Sequence, residues 1–527
     1  MFLLSLATVG CPSGSGGGGD QTPPAESALT VRTTPQDAQI TVRDAGGALI
    51  LVAQDGARHV LDPATYSVRV DRVGYHSQAQ QVQVSGETSL DVSLTAESPV
   101  QPLPCGPLRV STANPRYFAD RCKTRYLAGL HTWNNLIDMG VSNPPRAFDF
   151  DFFLHFLGTY NANVIRLWAW ETPHPEDTET AFRDWTAPQP WLRTGPGTAV
   201  DGLPKFDLGV LDEAYFVRMR ERVRALQDAG VYTIVMLFDG WSVQWSPGKD
   251  SDPYNGPNNV NNIAPASLRD VDTLNVPAIV NVQEAYVRKV IDTLNDFDNV
   301  MYEIANEAVV ESVDWQYHMI AFVEGYENAK PKQHLVGMTW PWGANNSVLF
   351  NGPADWVSPL GTLDPDPATG SKVIVYDNDH IGGSQFGNQI WVWKSFTRGY
   401  NPLFMDCYVP PDGLCESVYP YGTEIRRALG ATRRYAERMD LSTALPRGDL
   451  ASSGYCLAND TELAVFVPTG GPVTVTLPAS GSPFNAEWYD PSGDTVHPAS
   501  PVAGGAATDF IPPFSGPAVL FLWIPHP

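Results

Sequence analysis

Between residues 125 and 439, short apolar runs alternate with stretches of helical periodicity, and this alternation limits the fold more than any other feature of the chain. The apolar runs fall at 125–133, 162–170, 231–238, 300–306, 334–340, 356–360, 372–376 and 402–405. Helical stretches fall at 212–229, 280–297, 315–328, 387–397 and 423–439. In the first of these, Leu211, Tyr215, Met219, Val223 and Leu226 recur at the spacing of a helix face that packs on a sheet. Strands separated by helices form a parallel sheet, because the chain must cross over before it can re-enter in the same direction. Eight such strands with right-handed crossovers close into a (β/α)8 barrel. An open, doubly wound sheet is the competing topology. No Gly-rich phosphate loop follows any of the runs, which counts against its nucleotide-binding forms.

The flanks follow a different period. From residue 28 to 97, runs such as Leu29-Thr-Val-Arg, Ile40-Thr-Val-Arg and Tyr66-Ser-Val-Arg-Val alternate polar and apolar side chains between turn residues, predicting a small antiparallel β domain. These runs resemble PEGA-type bacterial surface modules. They carry no set of reactive side chains, so a spacer or adhesion role is expected. A Pro-rich linker follows at 98–106, and the barrel is expected over 107–445. At 446–527 the strand period returns as a terminal β-sandwich, through Glu462-Leu-Ala-Val-Phe-Val and Ala518-Val-Leu-Phe-Leu-Trp. Trp488-Tyr-Asp-Pro-Ser-Gly and Phe510-Ile-Pro-Pro-Phe-Ser-Gly resemble a module known as a collagen-binding-type domain, which in bacterial enzymes of this layout packs on a catalytic barrel.

The chain opens Met1-Phe-Leu-Leu-Ser-Leu-Ala-Thr-Val-Gly-Cys11 and continues into a Gly/Ser/Pro-rich tether at 12–27. An apolar run ending in small residues and a Cys is similar to a bacterial lipoprotein signal, which implies export and lipidation at Cys11. An ordinary secretory peptide with an incidental Cys is the alternative. No other run is long and apolar enough to span a bilayer, so membrane attachment is expected only through the lipid. Of the remaining cysteines, Cys105 with Cys122 and Cys407 with Cys415 are spaced to form disulfides in an oxidising compartment, and Cys456 has no evident mate. A formal charge of −24 argues against nucleic acid and anionic membrane surfaces as partners. The 15 Trp residues point to a sugar-binding cleft, because a flat indole stacks on the apolar face of a pyranose. An oligo- or polysaccharide is therefore the expected partner, and nothing in the chain bears on oligomeric state.

Barrel enzymes carry their chemistry at the C-terminal ends of different strands. The expected strand ends here supply His131, Trp133, Arg166, Trp168, Asp239, Asn306, Glu307, Trp340, Trp342, Asp377, Asp379, His380 and Asp406. Hydrolysis of a glycosidic bond needs two carboxyl groups, one protonated and one ionised. The run Val300-Met-Tyr-Glu-Ile-Ala-Asn-Glu307 resembles strand four of the clan-A retaining glycoside hydrolases, in which Asn-Glu closes the strand. Asn163-Val-Ile-Arg166 matches the strand on which that group places an Arg near its nucleophile. His131-Thr-Trp-Asn-Asn135, Asp377-Asn-Asp-His380 and the segment from Trp393 to Asp406 look like an uncharacterised subgroup of such bacterial barrels. The resemblance implies Glu307 as acid/base and Asn306 as a partner of the sugar 2-hydroxyl.

Strand seven departs from that pattern, which expects Glu where this chain has Asp377 and Asp379. Both could face one way from an extended segment, and position favours Asp377. A closely approaching Asp implies retention, and a water-filled gap implies inversion. Blander roles compete at each position: Arg166 as a core ion-pair partner, the two His as hydrogen-bonded structural groups, one Trp of each pair as packing, and Asp406 as a turn cap. Asp377, Asp379, His380 and Asp406 fit no specific metal motif, and neither a metal nor another cofactor is implied. The loops at 171–206 and 241–275 are expected to shape the cleft. The rival to a glycosidase is a non-catalytic surface protein that binds glycan or matrix through the Trp-lined cleft. A peptidase lacks support, since neither HExxH nor a nucleophile elbow occurs.

Overall fold

The computed structural model describes residues 27–34, 38–46, 48–53, 55–71, 78–94, 104–173, 185–245, 247–381, 387–406 and 422–525. The chain divides into two compact units, residues 1–98 and 99–527. The expected lipidation site Cys11 and the expected Cys407–Cys415 disulfide lie outside the described residues.

Eight parallel strands dominate the second unit: β1 (Gly129–His131), β2 (Val164–Leu167), β3 (Tyr232–Asp239), β4 (Val300–Asn306), β5 (Val336–Thr339), β6 (Trp356–Ser358), β7 (Val373–Asp377) and β8 (Asn401–Met405). Their hydrogen-bonded order is β1-β8-β7-β6-β5-β4-β3-β2, so each strand lies beside its sequence neighbours and β1 returns to β8. Between β1 and β2 no ladder forms among the described residues. The amide of Asn163 donates to the Ala128 carbonyl at 3.0 Å, and the Asn163 side chain accepts from the Ala128 amide at 2.9 Å. A Cβ on Gly129 would lie 1.8 Å from the Val164 carbonyl oxygen, so only Gly permits this approach. The sheet is therefore a nearly closed barrel, as the strand–helix alternation predicts.

Strands β3 and β4 are buried along their whole length, which suits strands covered on both faces. Their inward side chains, Ile234 and Met301 among them, form an inner core with Val164, Trp356, Val375 and Leu403. The outward ones meet the helices α1 (Phe150–Thr159), α2 (Glu213–Asp228), α3 (Pro277–Leu294), α4 (Val313–Glu327), α5 (Gln389–Thr397) and α6 (Gly422–Ala436). Helix α2 begins where the Asp212 side chain accepts from the Ala214 amide. It buries Tyr215, Met219, Val223 and Leu226 as expected, but Leu211 ends the preceding strand instead of joining the helix face. Helix α1 was not anticipated: its phenylalanines crowd the sequence and mask the helical period. Phe118, from a small sheet preceding β1, and Leu108, just before that sheet, belong to the same inner core. Beside Phe118, Cys105 and Cys122 form the expected disulfide.

The loop expected at 171–206 contains, within its described part, a strand at Trp191–Thr198 that forms a hairpin with Pro204–Leu211. After the barrel, six antiparallel strands form a sheet, and a two-stranded ribbon covers one of its faces. Val465, Val475, Trp488 and Leu520 fill the space between these layers. The opposite face of the sheet packs on the barrel helices. Trp393 of α5 lies 5.6 Å from Tyr489 and 6.1 Å from Phe466, and Tyr435 of α6 lies 5.1 Å from Phe521. Aromatic pairs of this kind contribute about 0.5–1.5 kcal/mol each beyond area burial.

The first unit has two sheets around Val31, Ile40, Val42, Tyr66 and Val68. The expectation of an all-antiparallel domain fails at one pair: Ala28–Thr34 and Glu87–Ser93 run parallel over seven residues. A side-chain period of two is the same for both strand directions, so alternation could not reveal this.

Candidate active site

A fully buried ionic network lies at the top of the barrel interior. Arg166, on β2, places Nε 2.7 Å from Glu303 Oε2 on β4 and Nη1 2.8 Å from Asp377 Oδ2 at the end of β7. Its Nη1 also donates to Asn306 Oδ1 at 3.4 Å. Thr339 Oγ1 donates to the other oxygen of Glu303. His131 Nε2, on β1, lies 3.1 Å from Asp377 Oδ2, and its ring stacks on Trp168 at 5.5 Å. Two carboxylates facing one guanidinium are tolerable without water only because the charges are paired and hydrogen-bonded. Burial alone would raise the Asp377 pKa, but Arg166 and then His131 overcome it and hold the carboxyl below its ordinary range. Burial lowers the His131 pKa, and Arg166 adds to this, so it stays below its ordinary value although Asp377 acts to raise it.

Above this layer the strand ends turn polar. Asp377 closes β7 and caps a single 3-10 turn, Asn378–His380: its Oδ1 accepts from the Asp379 amide at 3.0 Å. The expectation that Asp377 and Asp379 share one face of an extended segment is therefore corrected. The turn swings Asp379 out of the strand, leaving Asp377 with no exposed side-chain surface while the Asp379 side chain keeps 14%. Across the mouth, Glu307 follows β4 with φ of 46°, a left-handed conformation that costs a Glu backbone strain. The Gln244 side chain holds it there by donating to its carbonyl.

Glu307, Asp379 and His380 each bring one side-chain oxygen or nitrogen to within 4.8 Å of the others. Both carboxyls are raised. For Glu307, burial is the largest cause, Asp239 adds to it, and the pKa is pushed up to about 7. For Asp379, burial and then Glu307 and Asp377 raise it well above the usual carboxylate range. Both groups therefore hold their protons to higher pH than an ordinary carboxyl does. Burial pushes His380 down to about 4, so its imidazole is neutral. Its Nε2 has no hydrogen-bond partner among the described residues. The donor set of Glu307, Asp379 and neutral His380 would suit a divalent cation chemically.

The remaining candidates divide. Asp239 ends β3 in register with Asn306 and caps the turn that follows by accepting from the Ser242 amide. Its Oδ1 has no hydrogen-bond partner among the described residues, and burial raises its pKa to about 7. Behind it Glu171, Asp252 and Asp272 are also buried, and Glu171 accepts from the Asp239 amide at 3.0 Å. Trp133 is partly buried with its indole N–H on Met405 Sδ, and Trp340 is buried with its N–H on the Ala344 carbonyl. Trp342 is 46% exposed. Trp168 is buried against His131 and Trp170, and Asp406 accepts two hydrogen bonds of 2.6 and 2.7 Å from Arg426 of α6. Sequence reading passed over Glu303. Its signal was present, since it shares strand parity with the inward Met301 and is a lone charge in an apolar run.

No protein-family model matches the chain. No curated protein sequence matches it either. Among solved structures, a protein from Bacteroides vulgatus ATCC 8482 assigned to the glycoside hydrolases superposes with a TM-score of 0.55 at 13% identity, over 93% of this chain and 96% of its own. A glycoside hydrolase family 5 structure from the same organism gives 0.49 at 12% identity over 80% and 95%. A family 5 mannosidase from Rhizomucor miehei gives 0.40 at 13% over 63% and 99%. Only the first score supports a shared architecture, and at that identity the likeness concerns the fold alone.

Proposed function

We propose that the chain is a glycoside hydrolase that cleaves O-glycosidic bonds with retention of configuration. The observation that carries this reading is the approach of the Glu307 and Asp379 carboxyls to within 4.8 Å at the C-terminal ends of β4 and β7. Retaining enzymes hold the pair about 5–5.5 Å apart, against about 6.5–9.5 Å where a water must fit between. In this reading Glu307 gives its proton to the glycosidic oxygen as the C–O bond breaks, and the Asp379 carboxylate bonds to the anomeric carbon. Glu307, now ionised, then takes a proton from water as the water oxygen displaces Asp379. Asp377 is a positioning residue that fixes the Asp379 amide while Arg166 and His131 keep it ionised. The sequence-based preference for Asp377 as the reacting carboxylate is thus reversed in favour of Asp379.

The test is turnover of a glycan panel by the wild type and by Glu307→Ala and Asp379→Ala, with and without azide. The reading expects azide to restore both variants, giving a glycosyl azide of retained configuration with Glu307→Ala and inverted with Asp379→Ala. If the wild type binds glycans and turns none over, the non-catalytic binding protein is the correct reading. Export, lipidation at Cys11 and a spacer role for the first unit belong to the same proposal. Mass spectrometry of the mature N-terminal peptide from bacterial membranes tests the lipid.

The set Glu307, Asp379 and His380 favours one second reading, a divalent cation in place of the anomeric centre. Full retention of activity after chelation excludes it.

A further inference from the structure

Two rows of aromatic rings line the barrel mouth, and they differ in exposure. His131, Trp168, Trp170 and Trp241 are in successive ring contact, and the indoles of Trp168 and Trp170 are 2% and 6% exposed. The second row starts at buried Trp340 and runs outward: Trp342 lies 5.3 Å from Trp340, and Trp245 lies 5.7 Å from Trp342. Trp342 and Trp245 are 46% and 49% exposed. Indoles are large apolar groups that folding ordinarily covers, so two adjoining ones held half in water mark a surface kept open for a ligand.

Both are tied to the segment that carries Glu307. The Trp342 amide donates to the Ala308 carbonyl at 2.8 Å, and Val309 and Trp342 form a parallel bridge. Gln244, next to Trp245, donates to the Glu307 carbonyl. The pair thus stands on the Glu307 side of the mouth, on segments that follow β3 and β5, whereas Asp379 follows β7. An acid at Glu307 protonates the oxygen of the departing group, so what lies beyond Glu307 is the leaving group.

We infer that Trp245 and Trp342 are the platform on which the leaving-group sugar stacks. The inference rests on the glycosidase reading and extends it: the substrate carries a pyranose, not a small alcohol, on the leaving side. Trp245 and Trp342 then determine specificity at that position.

The experiment compares two substrates with the same donor sugar, a glycosyl fluoride and a disaccharide. Fluoride leaves without a ring to stack, so it reports the donor site and the two carboxyls alone. The full chain is used as wild type, Trp342→Ala, Trp245→Ala and Trp342→Phe. For both alanine variants, kcat/KM on the disaccharide is expected to fall by about tenfold or more while the fluoride stays within about twofold. Trp342→Phe, which keeps a stacking ring, is expected to recover most of the loss and covers the case in which an alanine variant fails to fold. An equal loss on both substrates overturns the inference, because the pair would then serve the donor site or the fold. Unchanged rates on both overturn it too and leave the indoles to a protein partner. The donor sugar is the one the glycan panel identifies; if the wild type turns over no glycan of that panel and no matching glycosyl fluoride, the glycosidase reading itself falls, and this inference with it.

Discussion

Arg166 and Asp377 meet at 2.8 Å with no exposed side-chain surface on either, directly beneath the carboxyl pair at the barrel mouth. A guanidinium in that place cannot be removed cheaply, since Glu303 and Asp377 would be left as facing buried charges. Arg166→Met is expected to destabilise the second unit by about 3–5 kcal/mol. Denaturant unfolding followed by tryptophan fluorescence measures this, and Arg166→Met with Glu303→Gln together should recover part of it. A loss below about 1 kcal/mol would mean that water reaches the network.

The Glu307 pKa of about 7 sets a pH limit on activity. The proposed acid must be protonated, so kcat/KM should fall as pH rises through about 7. After burial, Asp239 is the next contribution raising that pKa, with Asp377 also raising it and Arg166 opposing. Asp239→Asn removes a nearby negative charge, so the basic limb should move to lower pH. A pH–rate profile of both proteins checks the direction, and a shift upward would contradict it.

The same carboxyl makes stability depend on pH. Its folded pKa lies above the ordinary value of 4.5, so the folded state holds the proton more tightly than the unfolded one. Ionised Glu307 therefore costs stability increasingly as pH rises from about 4.5 to about 7. Glu307→Gln should raise Tm at pH 8 and have little effect at pH 4, while abolishing acid catalysis. Thermal scans across this range measure the difference.

Dialysis against a chelator is expected to leave hydrolysis unchanged, because the proposed steps use only Glu307, Asp379 and water. Loss of activity that zinc or calcium restores would instead assign Glu307, Asp379 and His380 to a metal.

The barrel was readable because its strands are apolar on both faces and its helices are not, as in β4 and α2. Strand direction in the first unit was not, since parallel and antiparallel strands share one side-chain period. The position of Glu307 just beyond β4 was legible from the Asn-Glu pair that closes the apolar run. The choice between Asp377 and Asp379 depended on one 3-10 turn, whose cap is Asp377 itself. Alternation along a strand predicts one face for both residues, and only the observed turn separates them. Asp406 follows β8 as expected, but its ion pair could not be read, because its partner Arg426 lies on a helix 20 residues further along the chain.

The aromatic seam joining Trp393 and Tyr435 to Tyr489, Phe466 and Phe521 bears on how such a gene can be cut and recombined. A segment encoding only 107–445 would release a barrel with two large rings stripped of cover on α5 and α6. The smallest segment that keeps those rings covered is therefore the barrel together with its terminal sheet.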